Sequence, residues 1–229
     1  WPPPAGSSVV VLLLHGNAGS RLHRLELIRM LREGLGVGVC VPDYRGFGGS
    51  QGSPTEQGLV LDAAAAADWV YDNTSSDTQL VILGKSIGAA VGLAVVTDEH
   101  LRRPAAALVL QSAFSSAVDV GASAYPFLPV RLLMKDRFDN IERAKQLPKN
   151  LPVCCVHGDA DEICPVNMGR SLFEALPSTR RSWRCIRGAG HNDLPYQFPG
   201  QYLSILAEFL NEELPPATMV SSTTTDMSS

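Results

Sequence analysis

Five residues carry the chemistry that this sequence spells out. Gly84-Lys-Ser-Ile-Gly88 places a serine between two glycines, directly after the apolar run Leu80 to Leu83. A strand that turns sharply into a helix lifts such a serine out of the backbone, and the glycines remove side chains that would clash. The helix that opens at Ile87 presents unpaired N–H groups and a partial positive charge. The Ile87 N–H is therefore placed to stabilise an oxyanion, and Ser86 to act as a nucleophile. The competing reading of this segment is a plain glycine-serine turn in a nucleotide-binding fold.

A serine hydroxyl needs a base. The histidines are 15, 23, 100, 157 and 191. His23 and His100 fall in helical stretches, and His15 and His157 precede a glycine at a strand end, where structural roles suffice. His191, in Gly188-Ala-Gly-His-Asn-Asp193, follows the last strand pattern and alone gives the chain order Ser, Asp, His. For the acid that orients it, His157-Gly-Asp-Ala-Asp-Glu162 offers three carboxylates. Asp161 is preferred, Asp159 is the alternative, and Glu162 reads as solvated. The end of the preceding strand offers only Gln111 and Ser112.

The elements that must position these residues alternate. Val9 to Leu14, Val37 to Pro42, Leu80 to Leu83, Ala106 to Leu110, Val153 to Val156 and Ser182 to Ile186 read as strands. Helical patterns fill the gaps, starting at Leu22, Thr55, Ile87, Met168 and Tyr202. This alternation predicts an α/β fold, a mostly parallel sheet flanked by helices. Ligands of such sheets bind at the carboxyl ends of the strands, where the glycine-rich breaks at 15–20, 84–88, 157–162 and 188–193 should converge. Residues 115–145 are irregular and read as a short cap, with Phe127, Leu128, Leu132, Leu133 and Met134 favouring an acyl or lipid-like substrate. Residues 1–214 form one domain on this reading, and 215–229, rich in Ser and Thr, a disordered tail.

The bulk numbers exclude some classes. Nineteen Lys and Arg against 23 Asp and Glu give a net charge of −4, so no basic footprint for nucleic acid is present. The five cysteines show no Cys-x-x-Cys spacing or ligand cluster, which argues against a metal and for a reducing, intracellular compartment. The apolar runs are too short to span a bilayer.

The segments His15-Gly-Asn-Ala-Gly-Ser20, Asp43-Tyr-Arg-Gly-Phe-Gly-Gly-Ser50, Gly84-Lys-Ser-Ile-Gly88, His157-Gly-Asp-Ala-Asp161 and His191-Asn-Asp193 resemble those of the α/β-hydrolase superfamily. Within it they are most similar to the bud-emergence-suppressor branch, which is related to depalmitoylases. The resemblance implies an α/β-hydrolase fold with catalytic Ser86, Asp161 and His191, oxyanion donors on the Asn17 and Ile87 N–H groups, and no metal or organic cofactor. It implies a serine hydrolase acting on lipid esters or on thioesters of S-acylated proteins. It also implies an antiparallel hairpin before the first strand, which is missing here and leaves a sheet edge bare, and membrane contact through an N-terminal segment outside this chain. A peptidase of the same fold and a non-catalytic interaction module are the rival readings.

Overall fold

The computed structural model describes residues 1–97 and 101–214. The expected helical placement of His100 and the expected disordered tail at 215–229 lie outside the described residues. Six strands form one sheet: β1 (Val9–Leu14), β2 (Gly38–Cys40), β3 (Gln79–Lys85), β4 (Ala107–Gln111), β5 (Val153–Gly158) and β6 (Arg181–Ile186). Their order is β2-β1-β3-β4-β5-β6, and all five pairings are parallel. Parallel neighbours require crossovers, and the helices supply them.

Alternation along the strands sorts the core into two layers. Leu12, Leu14, Ile82, Leu108 and Cys155 face α2 (Glu56–Asp72) and α3 (Ile87–Thr97). Leu13, Leu83, Val109 and Cys154 face α1 (Leu25–Leu35) and α9 (Pro199–Glu213). The adjacent cysteines thus enter opposite layers, and both are free thiols. With both faces covered, the strands read as continuous apolar runs.

Three expectations change in detail. The first helix starts at Leu25, after a 3₁₀ turn over Arg21–Arg24. The three-residue period of that turn takes Leu22 out of the apolar stripe, and Leu22 and Leu25 are exposed. At the β2 edge no hairpin lies among the described residues, yet the edge is not bare throughout. Val39 N–H donates to the Trp1 carbonyl at 2.8 Å, and the Trp1 amino group donates to the Val39 carbonyl at 3.1 Å. Residues 115–145 resolve into α4 (Ala117–Ala124), α5 (Val130–Leu133) and α6 (Asn140–Ala144). The remaining helices are α7 (Val166–Ala175) and the short α8 (Leu194–Gln197).

The helix after β3 lies against the sheet at glycine distance. A Cβ on Gly88 would stand 2.0 Å from the Leu14 carbonyl oxygen, and one on Gly84 would stand 2.2 Å from the Gly88 oxygen. Both obstacles are backbone and cannot move aside. Gly88→Ala should therefore destabilise by about 3 kcal/mol or more. Gly200→Ala, on α9 with open space around it, should be neutral or stabilise by about 0.5–1 kcal/mol. Urea midpoints of the two variants check this; an equal, small effect at both positions contradicts it.

Candidate active site

The strand registers bring the breaks to one edge. Leu14 pairs with Gly84, Gly84 with Leu110, Gln111 with Val156, and Gly158 with Ile186. The loops that leave these positions carry the expected site residues.

Ser86 has φ of 55°, a left-handed conformation in a non-glycine residue. Such strain persists only where the surroundings fix it. The Ser86 N–H donates to the Gln111 carbonyl at 2.9 Å, and its carbonyl accepts from Ala89 at 2.9 Å and Ala90 at 3.3 Å. Ser86 lies with Asn17, Ile87, Phe114, Met134 and Cys164 on the wall of a cavity of about 540 Å³, a volume suited to a small organic ligand. Among the described residues, the backbone N–H groups of Asn17 and Ile87 have no hydrogen-bond partner. Both expected oxyanion donors thus share one cavity with the serine.

Asp161 is buried and fully shielded at its carboxylate. Its Oδ2 accepts from His191 Nδ1 at 2.8 Å. Its Oδ1 accepts from the backbone N–H groups of Ile163 at 3.0 Å and Cys164 at 2.7 Å. His157 Nε2 donates to the Cys164 carbonyl at 2.8 Å and stands 3.4 Å from Asp161 Oδ2. Burial alone would raise the Asp161 pKa; the His157 and His191 rings and the Cys164 N–H outweigh it and hold the carboxyl well below the usual carboxylate range. With Nδ1 donating to this carboxylate, His191 leaves Nε2 as the acceptor.

The other acids separate cleanly. Asp159 is exposed, and its Oδ1 accepts from the Gly188 N–H at 2.6 Å, closing the β6 loop. Glu162 is exposed. His15 is buried, with Nδ1 donating to the Gly16 carbonyl at 2.8 Å and its ring against Tyr44 and Phe47. The Asp43 to Ser50 motif thus braces the Asn17 loop: Asp43 binds the Arg21 backbone N–H and guanidinium, and Ser50 Oγ donates back to the Asp43 carbonyl. His23 is exposed.

Ser86 and His191 share no hydrogen bond among the described residues. Cys164 lines the same cavity as Ser86, and its thiol pKa is pushed up to about 12 by burial and by Asp161. The two loops are held together by their neighbours: Lys85 Nζ donates to Asn192 Oδ1 at 2.6 Å. Neither this tether nor the Cys164 contacts follows from the motif pattern; the signal for the latter is the Asx-type turn in which Asp161 binds the N–H groups two and three residues on. Among the described residues, no cluster of three or more His, Cys, Asp or Glu side chains is placed to hold a metal, and no helix is long and apolar enough to cross a membrane.

The model of the alpha/beta hydrolase fold family matches residues 9–140. The chain belongs to the α/β-hydrolase family. It is 42% identical to an uncharacterized protein of Mycobacterium tuberculosis over 90% of the chain and 71% of that protein. It is 30% identical to Protein bem46 of Schizosaccharomyces pombe over 90% of the chain and 68% of the relative. It is 33% identical to mouse lysophosphatidylserine lipase ABHD12, of which it spans 58%, matching 92% of the chain. Among solved structures, the Pyrococcus furiosus esterase Pf2001 superposes with a TM-score of 0.75 at 21% identity, covering 92% of this chain and 83% of that one. The Paleococcus ferrophilus monoacylglycerol lipase does so with a TM-score of 0.63 at 20% identity, covering 89% of this chain and 94% of that one. These two establish a shared fold.

The half-buried Lys85 gives the site a pH signature in stability. Burial and the nearby Arg24 push its pKa down to about 8 from 10.5, against the pull of Asp161 and Asp193. Between these values the unfolded chain binds more protons, so this group makes stability rise with pH. The wild type should gain stability relative to Lys85→Gln from about pH 8 to pH 10.5. Urea midpoints across that range check this; a constant difference contradicts the burial of the ammonium.

Proposed function

We propose that the chain is a serine hydrolase that cleaves carboxylic ester or thioester bonds of lipid-like substrates through an acyl-enzyme at Ser86. The observation that carries this reading is the hydrogen bond from His191 Nδ1 to the buried Asp161 carboxylate at 2.8 Å, on the loop beside the strained Ser86 turn. This pair leaves His191 Nε2 able to take a proton. Rotation of the serine hydroxyl toward the imidazole completes the relay, and such contacts commonly tighten only when substrate binds.

In the first step His191 Nε2 takes the Ser86 proton as Oγ forms a bond to the carbonyl carbon. The carbonyl π electrons move to oxygen, where the Asn17 and Ile87 N–H groups stabilise the charge, and Asp161 stabilises the imidazolium. The imidazolium then protonates the departing alkoxide or thiolate. In the second step water, deprotonated by His191, attacks the acyl-enzyme and releases the acid. The cavity wall of Phe114, Val120, Met134 and Phe138 suits an acyl chain. The named activities of the ABHD12 relative and of the monoacylglycerol lipase neighbour, both lipases, support a lipid-like substrate. An S-acylated protein presents the same chain on a thioester.

A fluorophosphonate probe should label the wild type and fail to label Ser86→Ala. Equal labelling of both, or none of the wild type, overturns the reading. On p-nitrophenyl esters, Asp161→Asn should lower kcat by about 10⁴, the scale for a wrongly held histidine tautomer, with little change in KM. Faster turnover of peptide amides than of esters would replace esterase by peptidase chemistry.

A further inference from the structure

The segment between α4 and the end of α5 turns its large apolar side chains outward. Phe127 is 79% exposed, Leu132 86% and Leu133 66%, with Tyr125 and Leu128 about half exposed. Val130 is their one buried apolar neighbour within α5, seated against Gly121. The reason is local: Pro126 and Pro129 break the backbone, and a four-residue helix has only one face turned inward. Isolated exposed leucines are ordinary, but five large apolar side chains within nine residues form a patch, and patches mark contact surfaces.

Two observations say what the patch meets. It is continuous with the candidate active site: Tyr125, Met134 and Lys135 line the cavity that holds Ser86, as does Ile163, itself half exposed. A protein seated there would seal that cavity, whereas a lipid surface would feed it. The charge does not oppose this. The rim is balanced: Arg131, Lys135 and Arg137 stand with Asp119, Asp136 and Asp139, and Arg131 pairs with Asp119 at 3.0 Å. An apolar patch whose rim carries no excess of acid, in a chain of net charge −4, suits the boundary of a bilayer.

We propose that Tyr125, Phe127, Leu128, Leu132 and Leu133 dock the cavity mouth on a lipid surface, so that an acyl chain passes from the bilayer to Ser86 without crossing water. The use of the surface rests on the hydrolase reading; its existence does not, and the two are tested apart. Ser86→Ala, which cannot turn over lipid, is sedimented with vesicles of phosphatidylcholine and phosphatidylserine in roughly equal parts. It should bind, and the additional changes Phe127→Ser and Leu132→Ser should lower the bound fraction's partition coefficient by about tenfold or more. In the Ser86 background, the same two changes should leave hydrolysis of p-nitrophenyl butyrate and fluorophosphonate labelling unaltered, since neither residue lines the cavity. No vesicle binding, or equal binding by both proteins, overturns the docking surface. So does a concentration-dependent dimer that the two changes abolish while vesicles bind neither form. Loss of butyrate hydrolysis by the wild type would instead strike the hydrolase reading and leave the binding result standing.

Discussion

A carboxylate with no access to water must be matched by hydrogen bonds, or it takes up a proton. Asp161 stays charged because the chain surrounds it with donors: the His191 ring, the Ile163 and Cys164 amides, and the more distant His157. Each donor belongs to a segment that must be in place first. The amides require the turn after β5, the histidine requires the loop after β6, and His157 fixes the Cys164 carbonyl from the end of β5 itself. One buried charge therefore couples the ends of two parallel strands. That coupling makes the His191 tautomer a property of the fold.

The serine side is built by sterics. Gly84 and Gly88 let α3 approach the sheet to backbone contact, and the tight junction forces Ser86 into positive φ. The energy of that strain is held by the β4 contact to Gln111 and by the helix that follows. The histidine and serine sides meet through Lys85 and Asn192, the immediate neighbours of Ser86 and His191. At the start of α3 and in the loop after β1, the Ile87 and Asn17 N–H groups are left without a partner among the described residues.

The sheet and the loops that carry Ser86, Asp161 and His191 were legible because their signals are local patterns: apolar runs for strands buried on two faces, and glycine-rich breaks at their ends. Spacing prefers Asp161 over Asp159, and the structure gives the two different surroundings. Asp159 faces outward to close the β6 loop, while Asp161 turns inward in its own short loop. Helical spacing misled at Leu22 and Leu25, because a 3₁₀ turn and an α-helix share their three-residue neighbours but not their faces. The helices between Ala117 and Ala144 were not legible beyond an irregular, apolar segment, since pieces of four to eight residues carry no period. The Lys85 tether spans 107 positions, a pairing no local pattern reveals.

The most direct measurement is a crystal structure of the protein after reaction with a fluorophosphonate. The expected density runs unbroken from Ser86 Oγ to phosphorus, with the phosphonyl oxygen about 2.7–3.1 Å from the N–H nitrogens of Asn17 and Ile87 and His191 Nε2 facing the Ser86 oxygen. An adduct on another residue, or a phosphonyl oxygen turned away from both amides with the imidazole out of reach, would contradict the assembly of these three side chains into one site.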